Sequence, residues 1–469
     1  MWSTIKYLIK KNKKSENKIN NGTLVHVAFD DTDSKDGMCT TYLAHLLVEQ
    51  LLKSNTIFED YPRLIRLNPN IPWKTRGNGA VSMTFRTDNP TMIYEKTCNI
   101  VSKYSEINNL ADPGVVMATM NSIPLDISNF SEKALSELVS KQEAVSIMKK
   151  YNIIYQGWGR KRGLIGALAA IGSKLDNDST FELIAFRSKK NWGLERLVDK
   201  TSIINMSNQT YPLTFNSYDK EKNRILITPR GADPVLIGIR GEYPDTVIQA
   251  YQMLKINEEV YGYMIFKTNQ GTGSHLKSEL DIGNLKAYRS GQFKCTVLHK
   301  PRIGIGGHVY VKVKNEKGCV DCAAYEPTGD FRKIVFSLIP GDVVEMGGSI
   351  RKRTSKHDYI INLEYIKIIK LNKNILFKNP ECNICGKRMS SKGHFQGFHC
   401  TFCNITNKKI KKIKIENKRL IQIGLYLPPP RSQRHLTKPH QRYLIQKKTK
   451  SLLIDHWYCP PNIETHLKI

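Results

Sequence analysis

The chain has 469 residues, with 72 Lys and Arg against 42 Asp and Glu and a formal charge of +30. That length allows three or four domains, and the positive surplus favours a polyanionic partner, nucleic acid first. A hydrophobic content of 40% beside 24% charged residues excludes a wholly disordered chain. The longest apolar run, GLIGALAAI at 163–171, falls far short of the roughly 18 residues a membrane span needs.

An anionic membrane surface is the rival partner, but no dominant basic amphipathic helix supports it. A genomic bias toward Lys, Asn and Ile accounts for much of the lysine, though not for its concentration at the two ends. Ten cysteines in so long a chain do not describe a disulfide framework, which points to a reducing compartment, the cytoplasm.

Residues 1–22 are basic, with a short apolar stretch and no small-residue cleavage site, and read as a flexible basic tail rather than a signal peptide. Leu24–Phe29 (LVHVAF) is an apolar strand that runs into Asp30-Asp31-Thr32-Asp33. A helix over about 39–53 follows, with Leu43, Leu46, Leu47 and Leu51 at helical spacing. Strand, acidic loop and helix open an α/β domain. In RLIRLNPNIPWKTRGNGAVSMTF (63–85) a Pro- and Gly-punctuated loop separates two strands, and helices and strands alternate to about residue 200. Residues 201–286 mix both types and fit a small βαβ-type domain. Between 287 and 372 five short alternating strands (FKCTVLHK, HVYVKVKN, CVDCAAYEP, DVVEMGGSI, YIINLEYIKII) predict an OB-like β-barrel. A cysteine module at 377–408 and a basic stretch at 409–469 complete the chain.

Cys382 and Cys385, fourteen intervening residues, then Cys400 and Cys403 have the spacing of a zinc ribbon. Four thiolates leave no open coordination position, so the zinc is structural. His394 and His399 are bystanders on this reading. Cys319 and Cys322 also stand three apart, but on a strand such residues point to opposite faces, and they read as ordinary cysteines.

Three carboxylates in four positions (Asp30, Asp31, Asp33) repel one another unless a cation sits among them, and Mg²⁺ with phosphate oxygens suits such ligands. The chain lacks GxxxxGK[ST] at this loop, which excludes a P-loop. The alternative is a solvated turn in which Asp33 or Ser34 caps a helix, which explains one Asp and not three. Gly37 leads into Thr40 and Thr41 at the helix start, where exposed N–H groups favour phosphate. Lys74, Arg76, Gly77 and Asn78 of KTRGNG supply positive charge and a pliable backbone for phosphates. Arg160-Lys161-Arg162-Gly163 is a second anion-binding candidate. For both basic clusters the alternative is a solvated surface loop.

Taken together, FDDTDSKDGMCTTYLAHLL, YPRLIRLNPNIPWKTRGNGAVS, KRGLIGALAAIG, PVLIGIRGE, GHVYVKV with CAAYEPT, the four-cysteine module and RHLTKP resemble the archaeal tRNA(Ile)-cytidine agmatinyl-ligase family, TiaS. The resemblance covers nearly everything after about residue 23, in order. It implies a multidomain α+β protein: a kinase-like α/β ATP-binding domain (23–200), a ferredoxin-like domain (201–286), an OB-fold (287–372), a zinc ribbon (377–408) and a basic tRNA-binding tail (409–469). It also implies ATP-dependent attachment of agmatine to the 2-carbonyl carbon of the wobble cytidine of an isoleucine tRNA, held by its anticodon loop and stem. The cofactors implied are ATP, Mg²⁺ and structural Zn²⁺. By the same resemblance Asp30, Asp31, Asp33, Thr40, Lys74 and Arg76 are catalytic, with Thr40 at the position phosphorylated in the family. Gly37, Gly77, Asn78, Arg162 and Gly163 join the nucleotide site. Two other readings remain: a non-catalytic tRNA-binding protein with a degenerate nucleotide domain, and a ligase on the same scaffold using another amine or base.

Overall fold

The computed structural model describes residues 22–54, 56–355, 358–445 and 452–461; of the expected basic tail at 1–22, all but residue 22 lies outside them. Strand β1 (Thr23–Asp30) alternates, placing Val25, Val27 and Phe29 in one core and Ala28 in another. Helix α1 (Thr40–Leu52) lays Leu43, Leu47 and Leu51 on the first core, as their spacing predicts. Strands β2 (Thr56–Phe58), β3 (Arg63–Arg66) and β4 (Gly79–Thr87) follow, then helix α2 (Pro90–Tyr104), capped by the Asn89 side chain, and β5 (Gly114–Thr119). Helices α3 (Leu125–Ser136) and α4 (Lys141–Lys150), β6 (Ile154–Gly157) and helix α5 (Gly163–Gly172) complete this half. Helices α3, α4 and α5 cover the second face, where Phe130, Met148 and Leu168 pack with Ala28, Ile65 and Val116.

The chain continues through β7 (Thr180–Arg187), helix α6 (Lys200–Gln209), β8 (Thr214–Phe215) and the β9–β10 hairpin (Tyr218–Asp219 and Arg224–Ile225). Next come β11 (Val235–Gly241), helix α7 (Pro244–Gln252) and β12 (Val260–Thr268). One sheet runs β6-β5-β1-β4-β3-β12-β7-β11-β8, with β2 paired to β4. No break in it falls at 200/201, because β7 pairs with both β11 and β12. The expected strand, acidic loop and helix are present, in a mixed α/β fold whose sheet is antiparallel at this point. β1 is antiparallel to both its neighbours, β4 and β5. The chain returns to β1 through β2 and β3, so α1 is no parallel crossover.

The sheet's two halves meet at β3 and β12, a parallel pair with only Lys267↔Arg63 and Thr268↔Leu64 in register. Beyond them the Asn269 side chain acts as a further rung, accepting from Arg66 N at 2.8 Å and donating to Arg66 O at 2.9 Å.

The five strands expected between 287 and 372 are β13 (Ser290–Val297), β15 (Val309–Asn315), β16 (Gly318–Ala324), β17 (Val343–Arg351) and β18 (Ile360–Lys370), with a two-residue β14 (Arg302–Ile303) before β15. They close into a barrel through the pairs β13–β15, β15–β16, β16–β18, β18–β17 and β17–β13. Helix α8 (Asp330–Phe336) packs Phe331 and Val335 into the barrel core.

An exposed two-stranded ribbon, β19 (Asn374–Lys378), leads into the cysteine module, which holds β20 (Ser390–Ser391), β21 (Phe398–Cys400) and β22 (Ile405–Asn407), and β23 (Ile413–Asn417) pairs back on β19. Residues 409–469, expected as a basic tail, then return through the fold as far as they are described. Strand β24 (Gly424–Tyr426) pairs with β18 of the barrel. Arg442 is buried against Glu242 and Asp178, and β25 (Tyr458–Cys459) pairs with β12 at Tyr263 and Met264. Strand β25 thus lies in line with β3 along β12 and fills the seam between the half-sheets. Ile265 N donates to Trp457 O at 2.8 Å, and Tyr61 joins through Leu452 O at 2.8 Å and Ile454 N at 2.9 Å. No described helix is long and apolar enough to cross a membrane.

Candidate functional site

At the seam a cleft of about 570 Å³ opens between the half-sheets, within the range of small-molecule sites. Its acidic wall begins where β1 ends. Asp31 adopts a left-handed backbone (φ 58°) and the Ser34–Gly37 turn closes at 3.1 Å, which delivers the chain to Thr40, the first residue of α1. Thr40 Oγ1 lies 3.0 Å from Thr32 Oγ1, so the hydroxyl is pinned at the helix start where N–H groups face the cleft.

Helix α5 reaches this loop because its first turns carry no side chains there. A Cβ on Gly163 would overlap the Asp30 carbonyl oxygen, and one on Gly166 the Asp30 carboxylate. Such closeness removes water from the carboxylates. Burial, then the charge of Asp31, pushes the Asp30 carboxyl well above its usual value. Burial carries Asp31 up to about 6, opposed by the Arg162 guanidinium and reinforced by Asp112. Asp33 is also raised by burial, against Arg76 and the Thr75 hydroxyl, which donates at 2.9 Å.

Asp30, Asp31, Asp33, Thr40, Lys74, Arg76, Gly77, Asn78 and Arg162 all line this one cleft. Gly37 and Gly163 do not: Gly37 offers its carbonyl to Arg76 at 2.8 Å, and Gly163 packs behind Asp30. Arg76 is more tied than the sequence suggests. It sits 3.5 Å from Asp33 and 3.2 Å from Asp233, and also donates to Ser34 O at 2.9 Å, so it clamps the acidic loop. Arg162 is oriented by the buried Asp112 at 2.8 Å, which also takes Arg160 at 3.0 Å.

The opposite wall escaped the sequence reading. Glu182 of β7 is buried between Arg240 (3.1 Å) and Arg66 (3.7 Å), and Gln270 donates to it. His435 Nδ1 lies 3.1 Å from the Arg240 guanidinium and 3.0 Å from Gln270 Oε1. Burial and the surrounding Arg66 and Arg240 charges push its imidazole well below the usual value, so it is neutral. A lone Glu in the apolar strand TFELIAFR and a lone Arg in VLIGIRG were the available signals, since a charge in a buried strand needs a partner. Asp112 and Asp233 carry no such mark.

The cysteine module meets the requirement for zinc. The Sγ atoms of Cys382, Cys385, Cys400 and Cys403 lie within 4.8 Å of one another, with Cys385 and Cys400 3.5 Å apart. A tetrahedral Zn–S₄ centre needs about 3.8 Å between sulfurs. Among the described residues these four are the one group of three or more Cys, His, Asp or Glu gathered so tightly. His394 and His399 stand outside it, and on β16 Cys319 is exposed while Cys322 is buried.

The family described as the TiaS TCKD domain matches residues 26–89, the TiaS FLD domain 161–275 and the TiaS C-terminal zinc ribbon domain 379–421. A protein of Cenarchaeum symbiosum, named as the 2-agmatinylcytidine synthetase TiaS of an isoleucine tRNA, is 39% identical over 92% of this chain and 95% of its own. Its namesake in Pyrococcus horikoshii is 40% identical over 89% and 96%. A crystal structure of TiaS in complex with that isoleucine tRNA and ATP is similar at a TM-score of 0.82 and 38% identity, covering 92% of this chain and 99% of that one. A complex of TiaS with the tRNA, AMPCPP and agmatine gives 0.80 at 36% identity over 91% and 99%. Likeness of this extent spans both walls of the cleft, the barrel and the ribbon together, and on it the chain belongs to the TiaS family of tRNA 2-agmatinylcytidine synthetases.

Proposed function

We propose that this protein uses ATP to join agmatine to the 2-carbonyl carbon of the wobble cytidine of an isoleucine tRNA, through a cytidine phosphorylated on that oxygen. The observation that carries the reading is the convergence, in one cleft, of three carboxylates, a pinned threonine at a helix start and a set of arginines, in a chain whose relatives bear the corresponding name along almost their whole length.

A cytosine 2-carbonyl is a poor electrophile and its oxygen a poor leaving group. Transfer of a phosphoryl group to that oxygen converts it to phosphate, which departs when the agmatine amine attacks C2. On this reading the half-sheet of β1 to β6 acts as the kinase-like ATP domain, and the half-sheet of β7, β8, β11 and β12 as the ferredoxin-like domain. Asp30, Asp31 and Asp33 hold Mg²⁺, which when bound neutralises phosphate charge. Burial holds all three carboxyls above their ordinary values, so a cation held among them would favour their ionised forms. Arg162 faces the phosphates, braced by Asp112, and Arg76 keeps the loop in shape. Thr40 is the hydroxyl placed to take a phosphoryl group. Glu182, between its two arginines, forms the far polar wall. The target base leaves its stack to enter, while the barrel and the zinc-bearing ribbon grip the tRNA backbone in the cytoplasm.

The test is direct: incubate the full chain with unmodified isoleucine tRNA, ATP, Mg²⁺ and radiolabelled agmatine, digest the RNA and separate its nucleosides. Label on cytidine that depends on ATP is expected. Binding without label would make this an RNA-binding protein, and label only from another amine would make it a ligase of different substrate.

A further inference from the structure

Behind the KTRGNG loop a second chamber of about 230 Å³ adjoins the cleft. Its polar lining is Arg66, Lys74, Arg76, Gln433, Arg434 and His435, with no carboxylate. Arg66 leans on Glu182, and Arg76 on Asp33 and Asp233, all of which line the main cleft. The other two cations make no ion pair among the described residues, although the buried Glu364 carboxylate lies near enough to Arg434 to be held down by its charge. Lys74 Nζ donates to the Arg76 carbonyl at 2.9 Å. Burial and the Arg434 charge together pull the Lys74 ammonium below its usual value.

Like charges converging on a partly buried space are unfavourable unless an anion joins them. The chamber is less than half the size of the main cleft and has room for a phosphate and a few waters. It opens outward, since Arg434 is exposed, so a polymer strand has access. Its backbone is nonetheless fixed. Arg434 N donates to Thr437 Oγ1 at 3.0 Å, Thr437 Oγ1 donates to the buried Glu364 at 3.4 Å, and Leu436 is 1% exposed. A guanidinium outside any ion pair, carried on a fixed backbone, is available to an anionic partner. Beside Lys74, Trp73 lines the main cleft and is 55% exposed, a flat surface for a nucleobase.

We propose that this chamber binds a backbone phosphate of the tRNA next to the nucleotide whose base enters the cleft, with Lys74 and Arg434 as its contacts. The inference rests on the reading of the main cleft as the site of base modification. It gives the RHLTKP segment a role: it brings Arg434 to the phosphate while His435 closes the cleft.

The test is the affinity of the full chain for unmodified isoleucine tRNA across a series of NaCl concentrations, with ATP affinity measured separately by calorimetry. Arg434→Ala should weaken tRNA binding about tenfold at low salt and lower the slope of log affinity against log salt by about one, with ATP affinity kept within twofold. Arg434→Lys should keep most of the tRNA affinity. A neutral methylphosphonate at the phosphate beside the wobble cytidine should cost the native chain about tenfold and Arg434→Ala almost nothing more. Loss of ATP affinity with tRNA binding intact would assign the chamber to nucleotide phosphates and overturn the proposal. An unchanged salt slope, an Arg434→Lys variant as weak as Arg434→Ala, or additive losses from the methylphosphonate would overturn it as well. None of these readouts needs agmatine transfer, so failure of the proposed reaction and failure of this contact are separable.

Discussion

Replacing Asp31 by Asn should make the free protein more stable and inactive at once. The side chains are nearly isosteric, and Asn accepts the left-handed backbone at φ 58° as readily as Asp does. What changes is charge. Burial raises the Asp31 carboxyl from 3.8 to about 6, and at 1.36 kcal/mol per tenfold that gap is ~3 kcal/mol against the folded state once the group is ionised. An acid raised in the fold keeps its proton to higher pH there than in the unfolded chain. The cost is therefore absent below about pH 4, grows between 4 and 6, and is complete above 6. Urea unfolding without added magnesium or nucleotide should show Asp31→Asn more stable by ~3 kcal/mol at pH 7.5 and by only ~1 kcal/mol at pH 4.5. Agmatine incorporation should fall at least about a hundredfold, with tRNA affinity changed less than about threefold. An increment equal at both pH values, or a destabilised variant, would refute the electrostatic account. Equal loss of activity and tRNA binding would mean that the loop is merely structural.

Gly166→Ala places a methyl group on the Asp30 carboxylate and should abolish ATP binding by calorimetry while tRNA binding survives; an unchanged ATP affinity would remove Asp30 from the site. Arg187→Met strips the buried Glu258 of its 2.7 Å ion pair and should cost about 3–5 kcal/mol of stability in denaturant. Most of that should return in the double variant with Glu258→Gln, and no recovery would mean that the loss is one of packing. Zinc removal by chelation, or Cys400→Ser, should open residues 379–421 to proteolysis, because the buried apolar cluster around the cysteines is only Cys382, Met389, Phe398 and Cys400. tRNA affinity should then fall more than ATP hydrolysis, and the reverse ranking would defeat the ribbon's role in holding RNA.

What could be read from the sequence was local. Strand β1, the acidic loop and helix α1 are contiguous, and the barrel strands and cysteine spacing each declare themselves within a few dozen residues. The residues beyond reach are those whose meaning comes from distant partners. Glu182 acquires its role from Arg66 and Arg240, and His435 from a strand nearly two hundred positions earlier. Arg76 showed its charge but not its use, since Asp233, which shares it with Asp33, belongs to an unremarkable turn. The single sheet across the expected 200/201 boundary was hidden for the same reason. Strands β3 and β12 pair over a separation of about two hundred residues, with two residues in register and a side chain as the third rung.

The strand at Tyr458–Cys459 that fills the seam also sets an order of events at the ribosome. The two half-sheets are complete in the nascent chain by Thr268, yet their seam lacks its insert until Trp457 and Cys459 have emerged, and the far wall lacks His435. By then the barrel and the ribbon have already been synthesised. The cleft is encoded early and closed late, so on the proposed reading ATP would meet a finished site only on a chain that already carries the barrel and ribbon proposed to hold tRNA.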